Sequence, residues 1–180
     1  MSGIVGTLLH LTNYRTPFLR TLIPSIGLAY GLQAACAIPS IIFQTERYYD
    51  LSGSLTYLSC TALSLSLPLL RARYATPGAA LPGLLEILRA ANWRQLALSA
   101  AVTFWAARLG SFLFARITAD EGRDSRFDGL RESAPKFFGA FAAQATWVSL
   151  CLLPVLAVNS IPATALAALP AFTLTDILGL

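Results

Sequence analysis

Between Asp120 and Glu132 the chain gathers Asp120, Glu121, Arg123, Asp124, Arg126, Asp128, Arg131 and Glu132, five carboxylates interleaved with three arginines. Arginine forks and carboxylates at such spacing can lock a loop by two-point hydrogen bonds. They can equally hold a polar ligand, or simply form a solvated face. Asp124, Arg126 and Asp128 surround the aromatic Phe127 and form the tightest part of the cluster. Just before it, Arg108 stands alone inside the apolar run "FWAARLGSFLFA". A charge at the centre of a membrane helix costs about 2.5–3.5 kcal/mol on insertion scales. Two readings of Arg108 stand open. In one it faces a bundle interior and meets an anionic group there. In the other it snorkels and serves topology. Phe104, Arg108, Phe112 and Arg116 share one helix face, because they recur every four residues.

The rest of the chain explains the setting of these charges. Charged residues make up 12% of 180 and apolar residues 56%, with a mean hydropathy of +0.62. That is about half the charge a soluble domain carries, too little to cover a water-facing surface. The surface is therefore expected to face lipid, in one membrane-embedded unit. The net charge of +4 is scattered, with no basic stripe, so no nucleic-acid footprint exists. Cys36, Cys60 and Cys151 lie in apolar runs and share no metal-ligand spacing. His10 is the single histidine, which removes paired-histidine metal sites and makes a Ser-His-Asp triad implausible.

Four apolar blocks, 21–43, 51–70, 95–115 and 137–158, each have about the 20 residues that a helix needs to cross the hydrocarbon core. Only helices or closed barrels satisfy the backbone there, and the blocks are too long for barrel strands. The expected fold is an all-α polytopic transmembrane bundle of four complete spans plus the start of a fifth from Ile161. Residues 1–20 form an arm and 21–180 the transmembrane helical domain, incomplete at its C-terminus. The acid-free, arginine-bearing start reads as a short extramembrane arm, with a mitochondrial transit segment as the alternative. A short interfacial helix is expected around Leu84–Ala91, with Trp93 at headgroup level. Residues 120–136 are expected to be a solvent-facing loop.

Two small-residue stripes, Ser52/Thr56/Cys60/Ser64 and Ala107/Ser111/Ala115, are expected to let helices approach closely. The positive-inside rule gives a tie. Arg15, Arg20, Arg71, Arg73, Arg89 and Arg94 fall on one side, and Arg47, Arg116, Arg123, Arg126, Arg131 and Lys136 on the other.

The runs "RLGSFLFARI", "GRDSRFD" and "KFFGAF" with "AQATWVSL" and "LPVLAVN" resemble the steroid 5α-reductase superfamily of membrane proteins, most of all its branch of unknown function. "FLRTLIPS" and "ERYYDLSGSLTYLS" resemble its fungal members. The resemblance implies an α-helical membrane fold, kinship to NADPH-dependent reductases of lipid double bonds, and a hydrophobic lipid substrate. It transfers to Arg108, Asp124, Arg126 and Asp128 as motif matches on the cofactor side, with no catalytic residue assigned. The family's Asp-x-Gln-Lys and Ser-Arg-His-Pro-Asn-Tyr runs do not occur in this sequence. The expectation is therefore the N-terminal part of a reductase-like protein, inactive by itself, with NADPH as the cofactor of a complete homologue. The alternative is a non-catalytic scaffold or pseudoenzyme. Membrane lipid is the expected partner and no nucleic acid is. The endoplasmic reticulum is the expected membrane, with the mitochondrial membrane as the alternative.

Overall fold

Proline and small residues govern how the apolar blocks fold. The structure is a computed structural model describing residues 3–76 and 78–170. Helix α1 spans Ile4–Leu11 within the arm, and α2 runs Pro17–Ile42. Pro17 suits the first turn, where a missing N–H is no loss. The first span therefore begins four residues before the expected boundary at 21. Pro24 and Pro39 lie inside α2. Pro24 leaves the Arg20 carbonyl, four residues earlier, without its helical donor. The Arg71 guanidinium donates to that carbonyl at 3.0 Å. That bond gives the freed carbonyl a donor in place of the missing one.

Helix α3, Tyr49–Ala75, is the central element and packs against α2, α5, α6 and α7. Its buried face is the predicted small stripe Ser52, Thr56, Cys60 and Ser64, joined by Gly53, Ser54, Tyr57, Thr61 and Leu67. Helix α4, Leu84–Ala90, is the short helix expected there. Helix α5, Trp93–Ala119, starts with a capping box in which Asn92 and Gln95 satisfy each other's backbone N–H groups. Its buried face is Gln95, Ser99, Ala106, Gly110 and Ile117. The second predicted stripe is thus corrected: Ala107, Ser111 and Ala115 face outward. Gly110 makes the closest approach, since a Cβ there would lie 2.6 Å from the Ser54 Cβ.

Helices α6, Ala134–Cys151, and α7, Leu153–Ser160, meet at a 50° bend. Pro154 lies at the start of α7 and cannot donate back across the break. Three helices, α2, α3 and α5, are long and apolar enough to cross a membrane, or four if the bent pair counts as one span. The expectation of four complete spans is thus reduced to three, with a fourth resting on a bent pair. Of the fifth block, α8, Ala163–Ala167, is described, and residues 171–180 lie outside the described residues.

The interior is polar where helices cross. Gln33 Nε2 donates to Thr56 Oγ1 at 2.8 Å, and Ser52 Oγ donates to Gln33 Oε1 at 3.2 Å. Gln144 Nε2 reaches the Tyr49 carbonyl at 2.9 Å. Asn159 Nδ2 donates to Ser64 Oγ at 2.8 Å and Ser99 Oγ at 3.1 Å. Such bonds glue helices where hydrophobic burial cannot distinguish neighbour from lipid. The outward faces carry Phe104, Phe112, Trp147, Ile38 and Leu55. The chain is thus a helical, membrane-type protein with an apolar exterior and polar bonds set among hydrophobic clusters inside.

Candidate functional site

Two loops meet at one end of the bundle. The α2–α3 turn spans residues 43–48 and the α5–α6 loop spans 120–133. Both reverse direction tightly, with positive φ at Gln44, Glu121, Gly122 and Gly129. Gly122 also packs against Arg47, whose Cδ would lie 3.4 Å from an added Cβ.

Glu46 is the centre of the junction and is only 1% exposed. Arg131 grips it with two parallel bonds, Nε to Oε2 at 2.7 Å and Nη2 to Oε1 at 2.6 Å. The Asp124 backbone N–H donates to Oε1 at 2.6 Å. Burial alone would raise the Glu46 carboxyl. The Arg131 hydrogen bonds, the Asp124 N–H and the Arg131 charge together outweigh it and hold the group below the ordinary carboxylate range.

Asp124 opens a 3-10 turn, Ser125–Phe127, and accepts the Arg126 N–H at 2.9 Å as its cap. The Arg126 side chain folds back onto the same carboxylate, with Nη2 to Oδ2 at 2.7 Å. That bond is the main cause of a lowered Asp124 pKa. Arg126 also reaches Asp50 Oδ2 at 3.1 Å. Arg116 lies 3.6 Å from Asp50 and 3.5 Å from Asp124. Two carboxylates, each 13% exposed at the side chain, thus sit between two guanidiniums. Phe127 anchors the turn beneath, with Tyr49 at 4.8 Å and Phe137 at 5.8 Å between ring centres.

The structure brings Asp124 and Arg126 together, and places Asp128 at the rim, 3.2 Å from Arg131. Arg108 belongs elsewhere. It is exposed on the outward face of α5, in line with Phe104 and Phe112, and has no ion-pair partner among the described residues. The reading of Arg108 as an interior residue is therefore corrected. The buried face of α5 is set by Ala106 and Gly110, which turns Arg108 away from the bundle. The 120–136 segment is correspondingly an ordered cap on the bundle, with its outer residues exposed. Glu46, Asp50 and Arg131 were missed as site residues in the sequence. The available signal was the acidic pair Glu46 and Asp50, four apart, at the edge of an apolar block.

Beside these ion pairs an open cavity of about 450 Å³ is lined by Arg116, Asp120, Arg123, Asp124, Ser125 and Arg126. It holds no histidine or cysteine, and its Asp124 carboxylate is bonded to Arg126. Among the described residues no group of three or more His, Cys, Asp or Glu is placed to hold a metal ion. The arrangement can fix the loops and offer Arg123 to a polar group, but it contains no nucleophile paired with a base.

No curated protein and no solved structure matches the chain closely enough to argue from. A protein family does match. It covers residues 75–180, which include Arg108, Asp124, Arg126, Asp128 and Arg131 but not their partners Glu46 and Asp50. With more than half its length inside that match, the chain belongs to DUF1295, a protein family of unknown function.

Proposed function

We propose that this chain forms the membrane-embedded body of a reductase-like lipid protein, and that by itself it serves as a helical scaffold, not as an NADPH-dependent oxidoreductase. The kinship rests on the resemblance of the 105–159 runs to the steroid 5α-reductase superfamily. The endoplasmic reticulum membrane and a hydrophobic lipid ligand belong to the same reading.

One observation carries the non-catalytic part. The loop-end arginines beside the motif matches Asp124 and Asp128 are engaged by this chain's own carboxylates. Arg131 is held by Glu46, Arg126 by Asp124, and Arg116 lies between Asp50 and Asp124. Of these only Arg131 combines burial with a two-point carboxylate partner, and it gives that partner up at a cost of several kcal/mol. At the loop end this leaves few cations, Arg123 among them, for a dinucleotide's phosphates. What the ion-pair network does is tie the α2–α3 turn to the α5–α6 loop.

The test is NADPH consumption by the purified chain in liposomes with an enone lipid. No substrate-dependent oxidation above protein-free liposomes is expected. Oxidation that requires both protein and enone would overturn the scaffold reading.

A further inference from the structure

The opposite end of the bundle is built on different chemistry. Arg15, Arg20, Arg71, Arg73, Arg89 and Arg94 all lie there, with Glu86 as the sole carboxylate among the described residues. Glu86 is already paired, 3.1 Å from Arg73. Arg71 donates to four neutral oxygens: Leu9 O at 2.6 Å, Thr12 O at 3.1 Å, Thr12 Oγ1 at 2.9 Å and Arg20 O at 3.0 Å. Its Nε is buried with no hydrogen-bond partner. Arg20 Nε donates to the Tyr14 carbonyl, again a neutral acceptor.

Between α1 and the end of α3 lies an open cavity of about 690 Å³. Arg20, Arg71, His10, Asn13 and Tyr74 line it, and among the described residues no carboxylate does. Two guanidiniums thus border one cavity without a counter-charge from the described residues. Like charges at the edge of a low-dielectric bundle repel unless an anion lies between them. Arg20, Asn13 and His10 offer N–H donors to a phosphate group, which accepts from several at once, while Arg71, its Nη groups already engaged, adds its charge.

The level of the cavity identifies the source of the phosphate. Helix α1 has 8 residues and α4 has 7, both too short to cross a bilayer. Both nonetheless expose apolar side chains, Ile4, Leu8 and Leu11 on α1 and Leu84 and Leu85 on α4. Short helices with exposed leucine beside arginine lie at the headgroup boundary. Trp93, stacked under Arg94 at 4.6 Å, is at the same end and suits that depth.

The geometry points to a binding site for the phosphate headgroup of an anionic glycerophospholipid between α1 and α3, with Arg20 and Arg71 as its cationic walls. Arg71 doubles as the clamp on α1, so Arg20 is the residue to vary.

The experiment uses the full chain in nanodiscs of phosphatidylcholine, alone or doped with phosphatidic acid, and counts lipids retained by native mass spectrometry. Phosphatidic acid should be retained in preference to phosphatidylcholine. Arg20→Gln should lower that preference about fivefold, the factor for one arginine at an anionic surface. Arg20→Lys should keep most of it, which separates charge from folding. Lys136→Gln, at the other end of the bundle, should leave it unchanged. Equal retention of the two lipids would overturn the site, and so would an equal loss in Lys136→Gln, which would mark a diffuse charge effect. Competition by inorganic phosphate without any preference for phosphatidic acid would also overturn it, in favour of a soluble anion.

Discussion

Each end of the bundle carries six basic residues, yet they do opposite things with them. At the loop end, Arg116, Arg126 and Arg131 meet Glu46, Asp50 and Asp124, so the charge is largely cancelled inside the protein. At the arm end, Arg71 and Arg20 meet backbone carbonyls, and no carboxylate among the described residues compensates them. A count of basic residues makes the ends equal, and only the acids and the geometry separate them. The lesson is physical. An arginine on a carboxylate fixes two chain segments against each other, whereas an arginine on a carbonyl fixes one segment and keeps its field available to something outside.

The largest effect is expected where that contrast is broken at the loop end. Glu46→Gln leaves Arg131 with only the exposed Asp128 as counter-charge, at a cost of up to about 3–5 kcal/mol, read as a lower midpoint of unfolding in detergent. Replacing both partners, Glu46→Leu with Arg131→Met, should recover most of that loss, because an apolar pair of similar volume often costs little. A double variant as unstable as the single one would show that the two-point bond itself stabilises the fold.

The matching break at the arm end should be local. Arg71→Met removes the donor to Leu9, Thr12 and Arg20, at a cost of about 2 kcal/mol for hydrogen bonds to a charged group. Hydrogen–deuterium exchange should rise in residues 4–12 while the bundle keeps its protection. Faster exchange throughout α3 and α5 would contradict a local clamp.

Acid should sharpen the contrast further. Glu46 and Asp124 both have lowered folded-state pKa values, Glu46 through Arg131 and the Asp124 N–H against its burial, Asp124 chiefly through Arg126. Their stabilisation is thus fully present above the unfolded carboxylate values, about 4. It is lost as pH falls through the lower folded values. Proteolysis within 120–133 should accelerate below about pH 4, with cleavage near α1 unaffected. Equal acceleration at both ends would remove the link to these carboxylates.

The smallest effect is expected at Arg108, which belongs to neither end. It faces outward without an ion pair, so Arg108→Leu should leave the unfolding midpoint unchanged or slightly raised, since leucine suits hydrocarbon better. A marked fall would restore a buried partner.

Much of the helical body was legible because hydropathy over about 20 residues needs no tertiary knowledge. The stripe Ser52, Thr56, Cys60, Ser64 was legible as well, from its four-residue period. The stripe Ala107, Ser111, Ala115 misled for a physical reason: small residues pack against a helix or sit in lipid almost equally well. The bend at Leu152 was hidden among look-alikes. Pro24, Pro39 and Pro68 stay inside continuous helices, and only Pro154 marks a break. In the site, Asp124 and Arg126 were legible because only one residue, Ser125, separates them. Glu46 and Arg131 were not, because no local pattern joins a turn to a loop across two helices. Arg108 showed the limit most plainly, since its place in an apolar run reveals depth but not direction.

Glu46 and Arg131 are 85 positions apart, and Glu46 and Asp124 are 78 apart. A ribosome adding about 5–20 residues per second needs roughly 4–17 s to travel from the first to the last of these. Until residue 131 is made, Glu46 has neither its Arg131 fork nor the Asp124 N–H. The junction therefore closes only after α2, α3 and α5 have all been synthesised.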